Sequence, residues 1–206
     1  MVVIRHSKYK RLIMSILLSY SFYGCVPMNY YTGKTLEDGE SVVIAGLEYV
    51  DLEFVDNVAG PPFTVSLGYA EGFPHKFEFG IGVVVPLFFE GTMRYEFTPR
   101  GNRFINMSFN SHLVKGINIP PYLKYGITAS REIGLATPIL SYYQYSLYGK
   151  SETSHFNNMQ TISFGVAIPI KGAYLIPEVD YQFSKDDISD GWPVYVYGIG
   201  IRLGWE

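Results

Sequence analysis

From Ser41 onward, large apolar side chains recur at every second position, and turn residues interrupt the alternation at regular intervals. The segment 193–206 carries it furthest. Tyr195, Tyr197, Ile199, Ile201, Leu203 and Trp205 fall on one face, and Val194, Val196, Gly198, Gly200, Arg202 and Gly204 on the other. Phe77, Phe79, Ile81, Val83 and Val85 stand in the same way against Lys76, Glu78, Gly80, Gly82 and Val84, and Leu175, Pro177, Val179, Tyr181 and Phe183 against Tyr174, Ile176, Glu178, Asp180 and Gln182. Shorter runs repeat the split around 63–70, 93–97, 105–112, 123–128 and 162–168. Segments 41–50 and 137–147 complete the set, the latter with apolar residues on both faces. The pattern predicts an all-β chain of about ten strands, with eight or twelve also compatible.

Alternation does not say which face is inside, because a soluble ligand-binding barrel is apolar within and polar without. Side-chain size decides. The apolar face is rich in Tyr, Phe and Ile, too bulky for the interior of a small barrel, whereas Gly, Ser, Thr and a few charges suit a narrow polar lumen. The expected architecture is therefore a closed antiparallel up-and-down transmembrane β-barrel over 41–206. Loop lengths point the same way: connections near 51–62, 86–91, 114–118, 148–159 and 184–193 are mostly longer than those near 71–74, 99–102, 131–135 and 171–172. An even strand count puts both termini on the short-turn side, which is periplasmic in a bacterial outer membrane.

Composition agrees. Of 206 residues, 17% are aromatic and only 17% charged, below the roughly 25% charge of soluble domains. After the first 24 residues no apolar run reaches the roughly 18 residues of a spanning helix. Removing that stretch leaves 12 basic residues against 19 acidic ones, with no basic stripe, so nucleic acid is an unsuitable partner.

Residues 1–24 have the layout of a secretory signal peptide, with Arg5, Lys8, Lys10 and Arg11 before the apolar core 12–20. The core runs into Ser21-Phe22-Tyr23-Gly24-Cys25, which resembles a bacterial lipobox and implies acylation of Cys25, the sole cysteine. Cleavage after Ser21 with Cys25 merely buried is the competing reading. A lipidated Cys25 would make 25–40 an extended tether to the first strand, and Val26 fits outer-membrane sorting.

The alternation and the closing run Tyr195 to Trp205 resemble small bacterial outer-membrane β-barrel proteins of the OmpA-like and porin-like superfamily with lipoprotein-type leaders. The resemblance covers about 41–206. It implies outer-membrane lipid, the barrel-assembly machinery and the lipoprotein-export machinery as partners, with Trp205 as the C-terminal assembly signal, here followed by Glu206.

The alternation projects Glu48, Lys76, Glu78, Arg94, Glu96, Lys124, Glu178, Asp180 and Arg202 inward. Their signs nearly balance, and buried charges are costly unless paired, so the expectation is a salt-bridge network that fills the lumen. This favours a non-enzymatic barrel with a structural, surface-interaction or narrow-transport role. A small-solute pore, an outer-rim hydrolase using His155 with Ser151, Thr153 or Ser154 beside Asp186, Asp187 and Asp190, and a secreted ligand-binding barrel are the alternatives. No nucleophile motif supports the hydrolase, and His75 and His112 lack metal-ligand spacing, so neither cofactor nor metal is expected. The extracellular ligand, if any, is not encoded legibly.

Overall fold

The computed structural model describes residues 30–50, 63–85, 88–99, 104–116, 120–147, 159–184 and 194–205. Ten strands follow one another in chain order: β1 (Ser41–Val50), β2 (Phe63–Phe73), β3 (Phe77–Val85), β4 (Phe88–Glu96), β5 (Asn106–Gly116), β6 (Tyr122–Ser130), β7 (Thr137–Leu147), β8 (Met159–Ile170), β9 (Ala173–Ser184) and β10 (Val194–Trp205). Each pairs antiparallel with its sequence neighbour, and β1 pairs with β10 from Ser41↔Trp205 to Val50↔Val196, closing the barrel. Closure leaves no strand edge with unpaired backbone groups. The first residue of β1 and the last of β10 lie at the same end, called here the near end.

Because the side-chain period of a strand is two, the β1–β10 register fixes which residues share a face. Tyr195, Tyr197, Ile199, Ile201 and Leu203 are exposed on the outer wall, and Val194, Val196 and Arg202 are buried inside. The outer wall stays apolar all the way round, with Leu67, Ile81, Phe89, Leu113, Ile127, Leu140, Phe164 and Val179 among its exposed side chains. Aromatic rings gather near its two rims. Tyr49, Phe63, Tyr181, Tyr195 and Tyr197 make contacts at the far end, and Phe73, Phe77, Phe79 and Tyr95 at the near end.

Four details differ from the sequence expectation. Strand β4 begins at Phe88, so most of the loop expected at 86–91 is strand; Phe88–Glu90 pair with Gly116–Val114 even though adjacent phenylalanines hide the alternation. The same pairing carries β5 to Gly116, so the loop expected at 114–118 begins after it, and β4 ends at Glu96 and β5 begins at Asn106, a longer separation than the turn expected at 99–102. Lys76 is not on a strand. It closes the β2–β3 turn, where His75 and Lys76 both take left-handed backbone conformations, with φ of 62° and 65°. Finally, bulky residues are not confined to the outer wall: Tyr122, Tyr143, Tyr145, Phe88 and Met159 form a buried cluster inside the far half of the barrel. A ten-stranded barrel has more interior than the eight-stranded size that side chains just fill, which leaves room for these rings.

The stretch read as part of a tether is packed rather than free. Residues 30–36 run inside the near half of the lumen, with Tyr30, Tyr31, Thr35 and Leu36 buried, before the chain leaves at the rim and enters β1. At that rim the Gly72 N–H donates to the Glu40 carbonyl at 2.8 Å, which extends the β1–β2 ladder by one step.

Candidate functional site in the barrel lumen

Arg94, on the inner face of β4 toward its near end, organises the near half of the lumen and is fully buried. Its Nη1 donates to Glu78 Oε1 at 2.8 Å and its Nε to Asn110 Oδ1 at 2.9 Å. Its Nη2 reaches Ser108 Oγ at 3.3 Å and donates to the carbonyl of Thr32. The guanidinium also lies over the Tyr31 ring, 4.5 Å from its centroid. Every Arg94 nitrogen therefore has an acceptor, which is the condition under which a buried charge is tolerable. Glu78 is shared: its Oε2 accepts the Leu36 N–H at 2.9 Å and lies 3.6 Å from Arg202 Nη2.

These residues hold the N-terminal segment by its backbone. Glu96 Oε2 accepts the Thr35 N–H at 3.1 Å, and Ser130 Oγ accepts the Gly33 N–H at 2.9 Å. Lys76 Nζ lies 3.4 Å from Glu96 Oε1 and donates to the Thr98 carbonyl, so the lysine steadies the carboxylate from the turn. Tyr30 lies against β1 and β10, where a Cβ on Gly46 or Gly200 would overlap its ring.

Beyond this clamp the wall changes character. On β5–β7, Asn110, Thr128, Ser141 and Tyr143 form a hydrogen-bonded chain, with Asn110 Nδ2 donating to Thr128 Oγ1 at 2.6 Å and to the Tyr143 hydroxyl at 3.0 Å. Lys124 Nζ lies 4.7 Å from the Tyr143 ring centroid, and His112 Nδ1 meets Glu90 Oε1 at 2.5 Å. On β1, Glu48 accepts a hydrogen bond from Thr64 at 2.7 Å. On β8 and β9, Ser163 stands opposite Asp180 and Thr161 opposite Gln182. The amide nitrogens of Gln160 and Gln182 are buried without a hydrogen-bond partner among the described residues.

Of the nine expected inward charges, Glu48, Glu78, Arg94, Glu96, Lys124, Glu178, Asp180 and Arg202 are buried in the lumen, and Lys76 is half-buried at its near mouth. They do not form one network. Arg94, Glu78, Arg202, Glu96 and Lys76 group at the near end, while Glu48, Glu178, Asp180 and Lys124 lie further in. The sequence reading missed Tyr30, Tyr31 and the backbone acceptors Glu96 and Ser130 as partners of one segment, because that contact joins residues 61 and 97 positions apart. Cys25 and the leader, His155 with Ser151, Thr153 and Ser154, and Asp186, Asp187 and Asp190 lie outside the described residues. Trp205 is the last residue of β10 and its backbone pairs with Ser41. Among the described residues no three His, Cys, Asp or Glu side chains converge as metal ligands.

No protein-family model matches the sequence, and no curated protein sequence matches it significantly. Solved structures of similar shape include the KdgM porin in complex with disordered oligogalacturonate, with 9% identity, a TM-score of 0.47, and coverage of 80% of this chain and 99% of that one. The Acinetobacter baumannii outer membrane protein Omp33 gives 10% identity and a TM-score of 0.43, over 82% of this chain and 99% of that one. Outer membrane phospholipase A from Escherichia coli gives 12% identity and a TM-score of 0.38, over 92% and 97%.

Proposed function

We propose that this protein is a bacterial outer-membrane β-barrel, lipid-anchored through Cys25, whose lumen is closed in the described state and which serves a structural or surface-interaction role rather than acting as an open pore or an enzyme. The observation that carries the reading is the inverted pattern of the barrel: greasy side chains dominate the outer wall all the way round, and ionisable and amide side chains are sequestered within. Such a wall in water would be an exposed apolar surface far larger than the few hundred Å² that soluble proteins leave open. In lipid it is the expected solvent contact, and a closed barrel satisfies its backbone without water. This weighs against the secreted ligand-binding barrel, whose polarity is the reverse.

The proposed orientation puts the near end, with both strand termini, in the periplasm and the longer far-end loops outside. The barrel-assembly and lipoprotein-export machineries would deliver it. Closure is supported by the clamped segment, whose Tyr30 lies on the β1–β10 side of the lumen, and by the tyrosine cluster, which fills the β4–β8 side.

The test combines membrane fractionation, heat-modifiable gel migration and planar-bilayer recording of the full chain. Expected are outer-membrane partition, a folded band that shifts on boiling, and no steady conductance. Recovery of the folded chain from buffer without detergent would overturn the location, and steady ion current through the unmodified barrel would overturn closure.

A further inference from the structure

We infer that residues 30–36 are a displaceable plug, and that withdrawing them from the lumen converts the closed barrel into a narrow conduit for small cations. The inference rests on the membrane-barrel reading above. Three observations carry it.

The first is that the lumen is built unevenly. The β4–β8 side is filled by its own bulky side chains, such as Tyr122, Tyr143, Tyr145 and Met159. The side formed by β10, β1, β2 and β3 presents Gly46, Ser66, Gly68, Gly82 and Gly200 instead; the Tyr30 ring occupies the space at Gly46 and Gly200, and Tyr30 and Tyr31 line a small cavity beside Ser66, Gly68 and Gly82. Side chains of this wall cannot refill that space, so withdrawal leaves an opening on the glycine side rather than a collapsed interior.

The second is how the segment is held. Its N–H groups donate to Glu78, Glu96 and Ser130, its carbonyls accept from Arg94, and Tyr31 lies on the Arg94 guanidinium. These are polar contacts to side chains that retain partners in each other when it leaves: Glu78 still has Arg94 and Arg202, and Glu96 still has Lys76. Water entering from the near mouth would solvate the rest, so release does not strand a buried charge.

The third is the wall such an opening would reach. Among the described residues, the carboxylates of Glu48, Glu78, Glu90, Glu96, Glu178 and Asp180 face the lumen, against the cations Lys76, Arg94, Lys124 and Arg202. The near-end acids are matched by bases. The excess lies further in, where Glu48, Glu90, Glu178 and Asp180 share the lumen with Lys124, and the Gln160 and Gln182 amide nitrogens are buried without a hydrogen-bond partner among the described residues. A constriction bearing net negative charge favours cations over anions.

The plug can be disturbed without altering a strand. Gly33 is packed so tightly that a Cβ would strike the Asn106 carbonyl and the Ser130 backbone, so Gly33→Val in the full chain should eject the segment. Tyr30→Ala with Tyr31→Ala, which removes both anchoring rings, is the second variant should the first not fold. Folding is read from heat-modifiable migration, and activity from planar-bilayer recording in a KCl gradient. The inference expects a silent unmodified barrel, conductance in the variants at least tenfold above it, and a reversal potential of the sign set by K⁺. Adding Asp180→Asn to the conducting variant should reduce that cation preference. Folded but silent plug variants would overturn the inference and leave the closed-barrel reading standing, and a current that prefers Cl⁻ would overturn its cation part. Conductance of the unmodified chain would instead overturn the closed-barrel reading.

Discussion

Gly46 and Gly200 face each other across the β1–β10 seam that closes the barrel, and together they form the floor on which the Tyr30 ring lies. The seam thus does two things at once: its backbone ladder closes the sheet, and its missing side chains admit a segment from outside the sheet. The same strand supplies a control, because the nearest neighbour of a Cβ on Gly204 would be Val42 Cγ1 at 4.0 Å, an ordinary contact. Gly200→Val should therefore destabilise the folded barrel by about 1–3 kcal/mol through overpacking, with Gly204→Ala within about 0.5 kcal/mol of the unmodified protein. Urea unfolding in detergent micelles checks both, and equal midpoints for the two variants would remove Tyr30 from the seam.

Arg94 should be the most sensitive position in the near half. Replacing it by Met leaves the Glu78 carboxylate with the Leu36 N–H and the longer contact to Arg202 but no close cation, leaves Asn110 Oδ1 with Ser108 alone, and strips the Thr32 carbonyl of its donor. The expected loss is about 3–5 kcal/mol, the range for breaking a buried pair from one side. Glu78→Gln in the same chain removes the stranded charge and should recover part of it. A double-mutant cycle on the unfolding midpoints makes the measurement, and strictly additive losses would show that the two groups do not act together.

The outline of this barrel was legible because lipid outside and a polar lumen inside impose a period of two on every strand. In β10 that period runs unbroken from Val194 to Leu203, and the structure keeps each residue on the expected face. It fails where another requirement intervenes. Phe88 and Phe89 are adjacent, one inside and one outside, and read as a loop until Phe88 is seen to pair with Gly116. Tyr143 and Tyr145 point inward on β7, where apolar residues on both faces had made the segment hardest to read. The plug had no local signal, since 30–40 has no period. Its trace was indirect: glycines concentrated on the inner face of β1, β2, β3 and β10 leave a volume that no strand residue fills.

If Cys25 carries the anchor, Cys25→Ser should abolish incorporation of a labelled fatty acid, while heat-modifiable folding persists. The described strand pairing and the clamp on residues 30–36 are made by residues from Tyr30 onward. Label retained on the Ser variant, or none on the unmodified protein, would refute the anchor and favour cleavage after Ser21.

The outer wall gives the sharpest discrimination between lipid and water. Ile199 lies near the middle of β10 and is 44% exposed on the outside, while Leu203, four residues along the same face, sits near the near rim at 40%. The two are equally accessible, so in water an arginine at either position would cost about the same and close to nothing. In a bilayer the cost depends on depth, about 2–4 kcal/mol at the midplane and falling to about 0–1 kcal/mol at the interface. Ile199→Arg should therefore lower the stability of the barrel in phospholipid vesicles by at least about 2 kcal/mol while Leu203→Arg barely changes it, and the difference should shrink when the same pair is compared in short-chain detergent that allows water closer to the wall. Equal effects of the two substitutions in vesicles would show that Ile199 does not face acyl chains at mid-depth, and with that the inside-out reading of the whole barrel would fail.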